Sequence, residues 1–153
     1  MIGLEESVAK AKIAQHFVPV SQGNDSSFLG TFDTILIGNA LEKVDNPYIF
    51  LQELKKWLKK DGTVVGEAYN IATKSNISSL LKGEWYQEHF RKQNHFTRSD
   101  LEKIFSTCGY EEDVFYPFEE DSSETVPVFL KQEENDFLSQ VYYSFRFRVK
   151  DKA

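Results

Sequence analysis

The sequence predicts an α/β fold in a single domain, with a mostly parallel sheet that ends in an antiparallel late strand. One observation is that short apolar runs alternate with segments of helical spacing over most of the chain, which is typical of strand–helix–strand units. Another is that residues 142–149 alternate apolar and polar side chains, the period of a strand with one solvated face. A strand–helix–strand crossover is expected to be right-handed.

Length and composition favour one folded domain, residues 1–153, and exclude several classes of protein. With 41% hydrophobic and 27% charged residues, the chain can bury a core and is not disordered. Cys108 is the single cysteine, so no internal disulfide forms. The apolar runs are far shorter than the roughly 20 residues that cross a bilayer. Glu5 and Glu6 stand where a signal peptide would be basic, which predicts a cytoplasmic protein, and the formal charge of -6 disfavours nucleic acid as a partner.

The first elements form a strand, a helix and a second strand. Residues 1–4 are a short apolar run, and residues 5–15 follow with the spacing of a helix. Residues 17–20 are again apolar, but Pro19 has no backbone N–H, so this strand is expected at the edge of a sheet. The polar stretch 21–27 is then a loop.

The next unit is the clearest in the chain. Phe32–Gly38 is almost continuously apolar, as in parallel strands covered on both faces, which predicts a central position in the sheet. Pro47 is suited to the first turn of a helix that runs to about residue 60, and residues 63–68 form the next strand. The apolar side of this helix consists of Phe50, Leu51, Leu54, Trp57 and Leu58.

Two further helices and two late strands complete the prediction. A short helix is expected around residues 77–81, followed by an aromatic-rich loop to residue 93. Thr97 and Asp100 have the spacing of a capping box before a helix that ends at Gly109. Cys108 lies on the apolar side of that helix with no nearby histidine or basic residue, which favours a core position over a nucleophile. Residues 114–118 and 142–149 are the late strands, and the acidic stretch between them is interpreted as a solvated loop rather than a metal site.

Three segments carry a family resemblance. Residues 32–44, FDTILIGNALEKV, resemble the fourth strand and following turn of class I S-adenosylmethionine-dependent methyltransferases. Tyr69 and Asn70 stand where small-molecule members often have Pro-Asn, and residues 95–101, HFTRSDL, are similar to the segment before a late helix. Because the three occur in the family's order and spacing, the chain is identified as a member, and the resemblance implies a Rossmann-like sheet.

The resemblance also implies a binding site for S-adenosylmethionine. Residues 1–5 resemble the family's second strand, whose terminal acid, here Glu5, commonly bonds the ribose hydroxyls; the alternative is a surface acid at the start of a helix. Asn39, Ala40 and Leu41 match the turn beside the reactive sulfonium. Ligands of open α/β sheets bind beyond the carboxyl ends of strands, where these residues would emerge. Asn39 as a simple turn residue is the alternative.

If residues 1–5 are the second strand, the family's first strand and its glycine-rich loop are missing, and the domain is partial. No Gly-x-Gly occurs in the sequence. Without a central strand, two neighbours would face each other across about 10 Å with unpaired backbone groups, each costing about 1–3 kcal/mol when buried. We therefore expect either that the strand near Ile2 slides against the strand near Ile35, or that a second chain, in a homodimer or from a partner protein, completes the sheet.

The acceptor of the methyl group is expected in the aromatic segment. Oxygen acceptors need a base, and His89 and His95 are the candidates, with ordinary imidazoles as the alternative. By the resemblance, the substrate pocket is lined by Tyr69, Asn70, Trp85, Tyr86 and Arg91. The three histidines and one cysteine lack the paired spacing of metal ligands, so no metal is expected.

Two classes of function remain open on the sequence. One is a small-molecule methyltransferase that acts on oxygen or nitrogen and uses S-adenosylmethionine. The other is a non-catalytic methyltransferase-like module for dimerisation or regulation, which the lack of a glycine-rich loop favours.

Overall fold

The fold was determined from a computed structural model, which describes residues 2–4, 8–16, 19–21, 28–84, 94–120 and 138–150. Strands and helices alternate through most of the chain, and two long strands close it. The elements are β1 (Gly3–Leu4), α1 (Val8–Ala14), β2 (Val20–Ser21), β3 (Phe32–Gly38), α2 (Pro47–Trp57), β4 (Leu58–Tyr69), α3 (Lys74–Leu81), α4 (Arg98–Thr107), β5 (Tyr110–Glu120) and β6 (Gln140–Val149), and a 3₁₀ turn at Ala40–Glu42 follows β3. The order of elements predicted from the sequence is confirmed.

The described strands form two sheets. One contains β1 and β2 in parallel, and the other has the order β3-β4-β6-β5. In the larger sheet β3 and β4 are parallel, whereas β6 is antiparallel to both β4 and β5. The parallel unit and the antiparallel late strand are therefore as predicted.

The prediction that β3 is a central strand covered on both faces is wrong. Among the described residues, β3 pairs with β4 alone, so it forms one edge of the four-stranded sheet. No residue of β3 is buried, and the Leu36 side chain is 68% exposed. An apolar run shows that a strand has hydrophobic side chains, but its position in the sheet depends on which neighbours are present.

The prediction that the first strand slides against β3 is also wrong. Gly3 pairs with Val20, Leu4 pairs with Ser21, and the Gly3 N–H donates to the Pro19 carbonyl at 2.8 Å. The short β1 therefore forms its backbone hydrogen bonds with β2 and with Pro19 just before it. Within the described residues, β1 pairs with no strand of the larger sheet. The alternative, a second chain that completes the sheet, stays a prediction.

The register divides the four-stranded sheet into an inner and an outer face. Val64 of β4 lies opposite Ile35 of β3 and Phe147 of β6, and Phe145 lies opposite Phe115 of β5. Since side chains alternate along a strand, these residues share one face, the inner face. The residues between them project from the other face, the outer face.

Helices α2 and α4 cover the inner face and form the core with it. Phe105 of α4 stacks on Phe147 with ring centroids 3.9 Å apart and contacts Phe145 edge-on. Leu51 of α2 and Leu101 of α4 are fully buried in the same cluster. Burial of these aromatic and aliphatic side chains is the main stabilising contribution to this half of the molecule.

Both helices begin with side-chain caps, and the sequence predicted the first-turn position of Pro47 and the capping box at Thr97. The Asn46 side chain accepts hydrogen bonds from the N–H groups of Tyr48 and Ile49, and Pro47 follows as the first helical residue. Thr97 and Asp100 form a complete capping box at the start of α4. Because caps and apolar spacing are local signals, these helices could be placed from sequence alone.

The C-terminal end of α4 is bound by a side chain of α2. The Lys55 Nζ donates to the carbonyl oxygens of Cys108 and Gly109 at 3.1 and 2.8 Å, and it lies 5.5 Å from the Tyr110 ring centroid. A cation is favourable at this helix end. The Cys108 side chain is buried, and desolvation raises the pKa of its thiol despite the nearby lysine, which confirms it as a core residue.

None of the helices in the described ranges combines the length and the apolar character needed to cross a membrane.

Candidate functional site

The carboxyl ends of β3 and β4 lie side by side at one edge of the larger sheet. Leu36 pairs with Val65 and Gly38 with Gly66 in a parallel ladder, so both strands end in the same direction. The turn after β3 contains Asn39, and β4 ends at Tyr69. This edge is where open α/β sheets place their ligands, and the structure brings the predicted residues of both strand ends to it.

Glu42 joins the two strand ends. Its side chain is 9% exposed, and its carboxylate Oε1 accepts a hydrogen bond from the Tyr69 N–H at 2.6 Å. The next N–H, that of Asn70, donates to Val141 of β6, so the Tyr69 N–H points to the β3 side. β3 ends before it reaches Tyr69, so no backbone carbonyl of β3 accepts a hydrogen bond from the Tyr69 N–H. The Glu42 carboxylate accepts this hydrogen bond instead.

Asn94 and Phe96 hold a third segment against these strand ends. The Asn94 side-chain amide donates to the carbonyls of Leu41 and Val44 at 3.2 and 2.6 Å, and its N–H donates to the Glu42 carbonyl at 2.7 Å. Two residues later, Phe96 forms a parallel bridge with Asn70. His95 lies between these two anchors, so the structure places it beside both strand ends.

The predicted donor-binding residues differ in exposure. Asn39 is exposed, and its side-chain oxygen accepts from the Lys43 Nζ at 2.8 Å. Ala40 is half-buried, whereas Leu41 is fully buried. The Leu41 carbonyl accepts a hydrogen bond from the Asn94 side chain. Of the three, Asn39 offers polar side-chain atoms to a ligand at the strand edge.

Gly38 leaves open space at the end of β3. Its φ is +50°, and a Cβ built on it would meet no heavy atom within 4 Å. A ligand can therefore approach the backbone there and meet the Asn39 side chain next to it. The described residues thus leave open space at Gly38 and present the Asn39 side-chain amide beside it. The sequence contains no Gly-x-Gly turn.

The predicted substrate residues Tyr69 and Asn70 carry internal hydrogen bonds. The half-buried Tyr69 hydroxyl accepts from the Asn76 side chain at 3.0 Å. Asn70 is fully buried, donates from its amide to the Gln140 carbonyl at 2.8 Å and accepts from the Ala72 N–H at 3.0 Å. Asn70 therefore orders the loop after β4, and of this pair the Tyr69 ring is the more accessible.

Five predicted site residues lie outside the described residues, and their roles stay predictions: Glu5, Trp85, Tyr86, His89 and Arg91. The sequence analysis in turn missed Glu42, Asn94 and Asn76, which hold the site together. Glu42 could have been noticed as a carboxylate next to the apolar turn residue Leu41, but its partner is 27 positions away. Within the described ranges, no group of three or more histidine, cysteine, aspartate or glutamate side chains is arranged to hold a metal ion.

The fold is that of class I S-adenosylmethionine-dependent methyltransferases. The model of the methyltransferase domain family matches residues 1–113. The chain belongs to this family, as the sequence motifs predicted. No curated protein sequence matches the chain significantly.

Solved methyltransferase structures share the fold. A SAM-dependent enzyme of Thermotoga maritima, described as a possible histamine N-methyltransferase, has a TM-score of 0.72 at 21% identity over 97% of this chain and 72% of that chain. A methyltransferase of Methanosarcina mazei has a TM-score of 0.66 at 13% identity, over 99% and 82% of the two chains. The 1,6-didemethyltoxoflavin-N1-methyltransferase of Burkholderia thailandensis, whose structure contains S-adenosylhomocysteine, has a TM-score of 0.57 at 14% identity, over 98% and 61%. At these identities the likeness shows a Rossmann-like methyltransferase fold.

Proposed function

We propose that this chain binds S-adenosylmethionine at the carboxyl edge of β3 and transfers its methyl group to an oxygen or nitrogen of a small molecule. The observation that carries the proposal is the cluster of Asn39, Tyr69 and His95 at one strand edge, held by Glu42 and Asn94. Membership in the methyltransferase domain family supports it. The small-molecule class rests on the resemblance of the residues around Tyr69 to small-molecule members.

Each residue of the cluster has a distinct part in this proposal. S-adenosylmethionine supplies an electrophilic methyl group. Asn39 and the open space at Gly38 bind the donor, while Tyr69 forms a wall of the acceptor site. The acceptor lone pair must be aligned with the methyl carbon, and its proton must leave. His95, held between the two anchors at Asn94 and Phe96, takes that proton; His89 is the second candidate.

Binding of the donor product is the direct test. Titration calorimetry of the 153-residue chain with S-adenosylhomocysteine is expected to give a Kd of about 1–100 μM, which corresponds to a binding free energy of about 5–8 kcal/mol in magnitude. Asn39→Ala is expected to weaken binding about ten-fold, and Gln52→Ala, an exposed amide on α2, is the matched control. No heat at about 1 mM ligand would contradict donor binding and favour the non-catalytic module.

Methyl transfer tests the role of His95. With a panel of small amines and phenols, the release of S-adenosylhomocysteine is expected to fall about 10²-fold or more in His95→Gln, while the donor Kd stays unchanged. The exposed His16, in the turn after α1, provides the control His16→Gln. Equal turnover in the two variants would remove His95 from the proposal without affecting donor binding.

A further inference from the structure

Asn39 precedes the 3₁₀ turn Ala40–Glu42 but does not cap it. An asparagine in front of a helical turn ordinarily accepts a hydrogen bond from an N–H group of that turn. Here the Asn39 side chain makes no capping hydrogen bond, and its Oδ1 accepts from the Lys43 Nζ at 2.8 Å. The side chain of this donor-binding candidate is therefore held by Lys43 and not by the turn it precedes.

The contact with Lys43 determines which way the Asn39 amide faces. A lysine ammonium group donates hydrogen bonds and accepts none, so it binds the oxygen of an amide and not its NH₂ group. Since the amide oxygen and nitrogen point in different directions from one carbon, the Asn39 Nδ2 is directed away from the lysine. Asn39 is exposed, and its Nδ2 donates to no group among the residues that the structure describes. The group that Asn39 offers to a ligand is thus an N–H donor.

The backbone on both sides of Lys43 is fixed by Asn94. The Asn94 N–H donates to the Glu42 carbonyl at 2.7 Å, and the Asn94 side chain donates to the Val44 carbonyl at 2.6 Å. From this anchored position the Lys43 side chain extends back to Asn39, four residues earlier in the chain. The orientation of the Asn39 amide therefore depends on the same contacts that hold the two strand ends together.

We propose that Lys43 is a positioning residue for donor binding, which keeps the NH₂ group of Asn39 turned towards a hydrogen-bond acceptor of the bound donor. The inference rests on the proposed donor site at Gly38 and Asn39. The last side-chain torsion of an asparagine has broad, roughly two-fold preferences, so an unheld amide turns readily. A group that has its binding orientation for only a fraction of the time lowers the apparent affinity by that fraction. Lys43 sets the orientation before the ligand binds.

Titration calorimetry of the whole chain with S-adenosylhomocysteine measures the effect. Lys43→Met is expected to raise the Kd about three-fold, because an unheld amide would have the binding orientation in about one third of the molecules. Lys43→Arg keeps a cationic donor and is expected to bind as the wild type does. Lys56→Met is the matched control, since the Lys56 Nζ also binds a surface side-chain oxygen, that of Glu53 at 2.6 Å. Equal effects of Lys43→Met and Lys56→Met would overturn the proposal, as would equal losses in Lys43→Met and Lys43→Arg.

A double-mutant cycle decides whether Lys43 acts through Asn39. In the Asn39→Ala background, Lys43→Met is expected to leave the Kd unchanged, because no amide remains to be oriented. A direct contact of Lys43 with the ligand, or a general effect of its charge, would raise the Kd by the same factor in both backgrounds. That result would overturn the role of Lys43 and leave the donor site standing. A wild-type chain that binds no S-adenosylhomocysteine would overturn the proposed function, and this inference with it.

Asn39→Asp tests the chemistry of the group that faces the ligand. Aspartate keeps the shape of the side chain and can still bind Lys43, but it offers an oxygen where asparagine offers an N–H donor. The Kd for S-adenosylhomocysteine is therefore expected to rise about ten-fold or more, at least as much as in Asn39→Ala. An unchanged or lower Kd in Asn39→Asp would show that the ligand presents a donor at this position, such as its ammonium group, and would overturn the proposal.

Discussion

The backbone N–H of Tyr69 and the carboxylate of Glu42 form a hydrogen bond of 2.6 Å at the carboxyl edge of the sheet. Glu42 belongs to the turn after β3, and Tyr69 is the last residue of β4. One buried side chain therefore sets how the turn with Asn39 lies relative to the end of β4. The candidate site is thus held by a bond between its two supporting strands.

Replacement of Glu42 is expected to destabilise the protein. Glu42→Ala leaves the Tyr69 N–H without an acceptor and should lower the free energy of unfolding by about 1–3 kcal/mol, whereas Glu42→Gln keeps an acceptor oxygen and should cost about half as much. Urea denaturation at neutral pH measures both values. An alanine variant as stable as the glutamine variant would show that the carboxylate bond does not stabilise the strand ends.

Asn94 is expected to be sensitive to a change that keeps its shape. Its amide donates two hydrogen bonds to carbonyl oxygens, those of Leu41 and Val44. Asn94→Asp would set a carboxylate against these acceptors and should cost about 2–4 kcal/mol, more than Asn94→Ala. Urea denaturation of the two variants at pH 7 decides the order, and a more stable aspartate variant would contradict the donor role of the amide.

Two buried tyrosines are expected to respond oppositely to loss of their hydroxyl. The Tyr110 hydroxyl donates to the Leu51 carbonyl at 2.9 Å, whereas the buried Tyr143 hydroxyl finds no hydrogen-bond partner in the part of the chain that the structure describes. At pH 7, Tyr110→Phe should cost about 1–2 kcal/mol, and Tyr143→Phe should be neutral or stabilising. Thermal unfolding of both variants checks this; a large loss in Tyr143→Phe would show that its hydroxyl is bonded after all.

The Tyr143 hydroxyl should also make stability depend on alkaline pH. Burial raises its pKa from 10.0 to about 12, although the nearby Arg98 charge opposes the shift. Between these values the unfolded chain loses the proton while the folded protein keeps it, so the stabilising contribution is complete below pH 10 and is lost as pH rises towards 12. Tyr143→Phe should therefore gain stability relative to the wild type at pH 11 compared with pH 8, measured by urea denaturation. An unchanged difference would contradict the raised pKa.

The capping box of α4 offers a test of a local signal. The Thr97 hydroxyl accepts from the Asp100 N–H at 3.2 Å, and the Asp100 carboxylate accepts from the Thr97 N–H at 2.9 Å. Thr97→Ala should cost about 1 kcal/mol, whereas Thr97→Ser, which keeps the oxygen, should cost little. Urea denaturation midpoints of the two variants, compared at equal m-values, measure these losses of stability. Equal losses in Thr97→Ala and Thr97→Ser would show that the threonine methyl group, and not the hydroxyl, stabilises the helix start.

The sequence predicted those features whose causes lie close together in the chain. The first-turn position of Pro47, the capping box at Thr97 and the alternation along β6 are local, and the structure confirms them. The edge position of β3 could not be predicted, because an apolar strand has the same composition in the centre and at an edge. Glu42 and Asn94 were missed for a related reason: their hydrogen-bond partners lie tens of residues away in the chain, so the neighbouring residues do not identify those partners.

The contact of Lys55 with the end of α4 has a dynamic consequence. The last turn of a helix ordinarily frays on its own, since its carbonyls bond to water. Here the carbonyls of Cys108 and Gly109 are held from α2, and the Tyr110 hydroxyl that follows is bonded to the same helix. The two helices and the start of β5 therefore open and close as one cooperative unit, and amide exchange in all three should follow a common opening free energy.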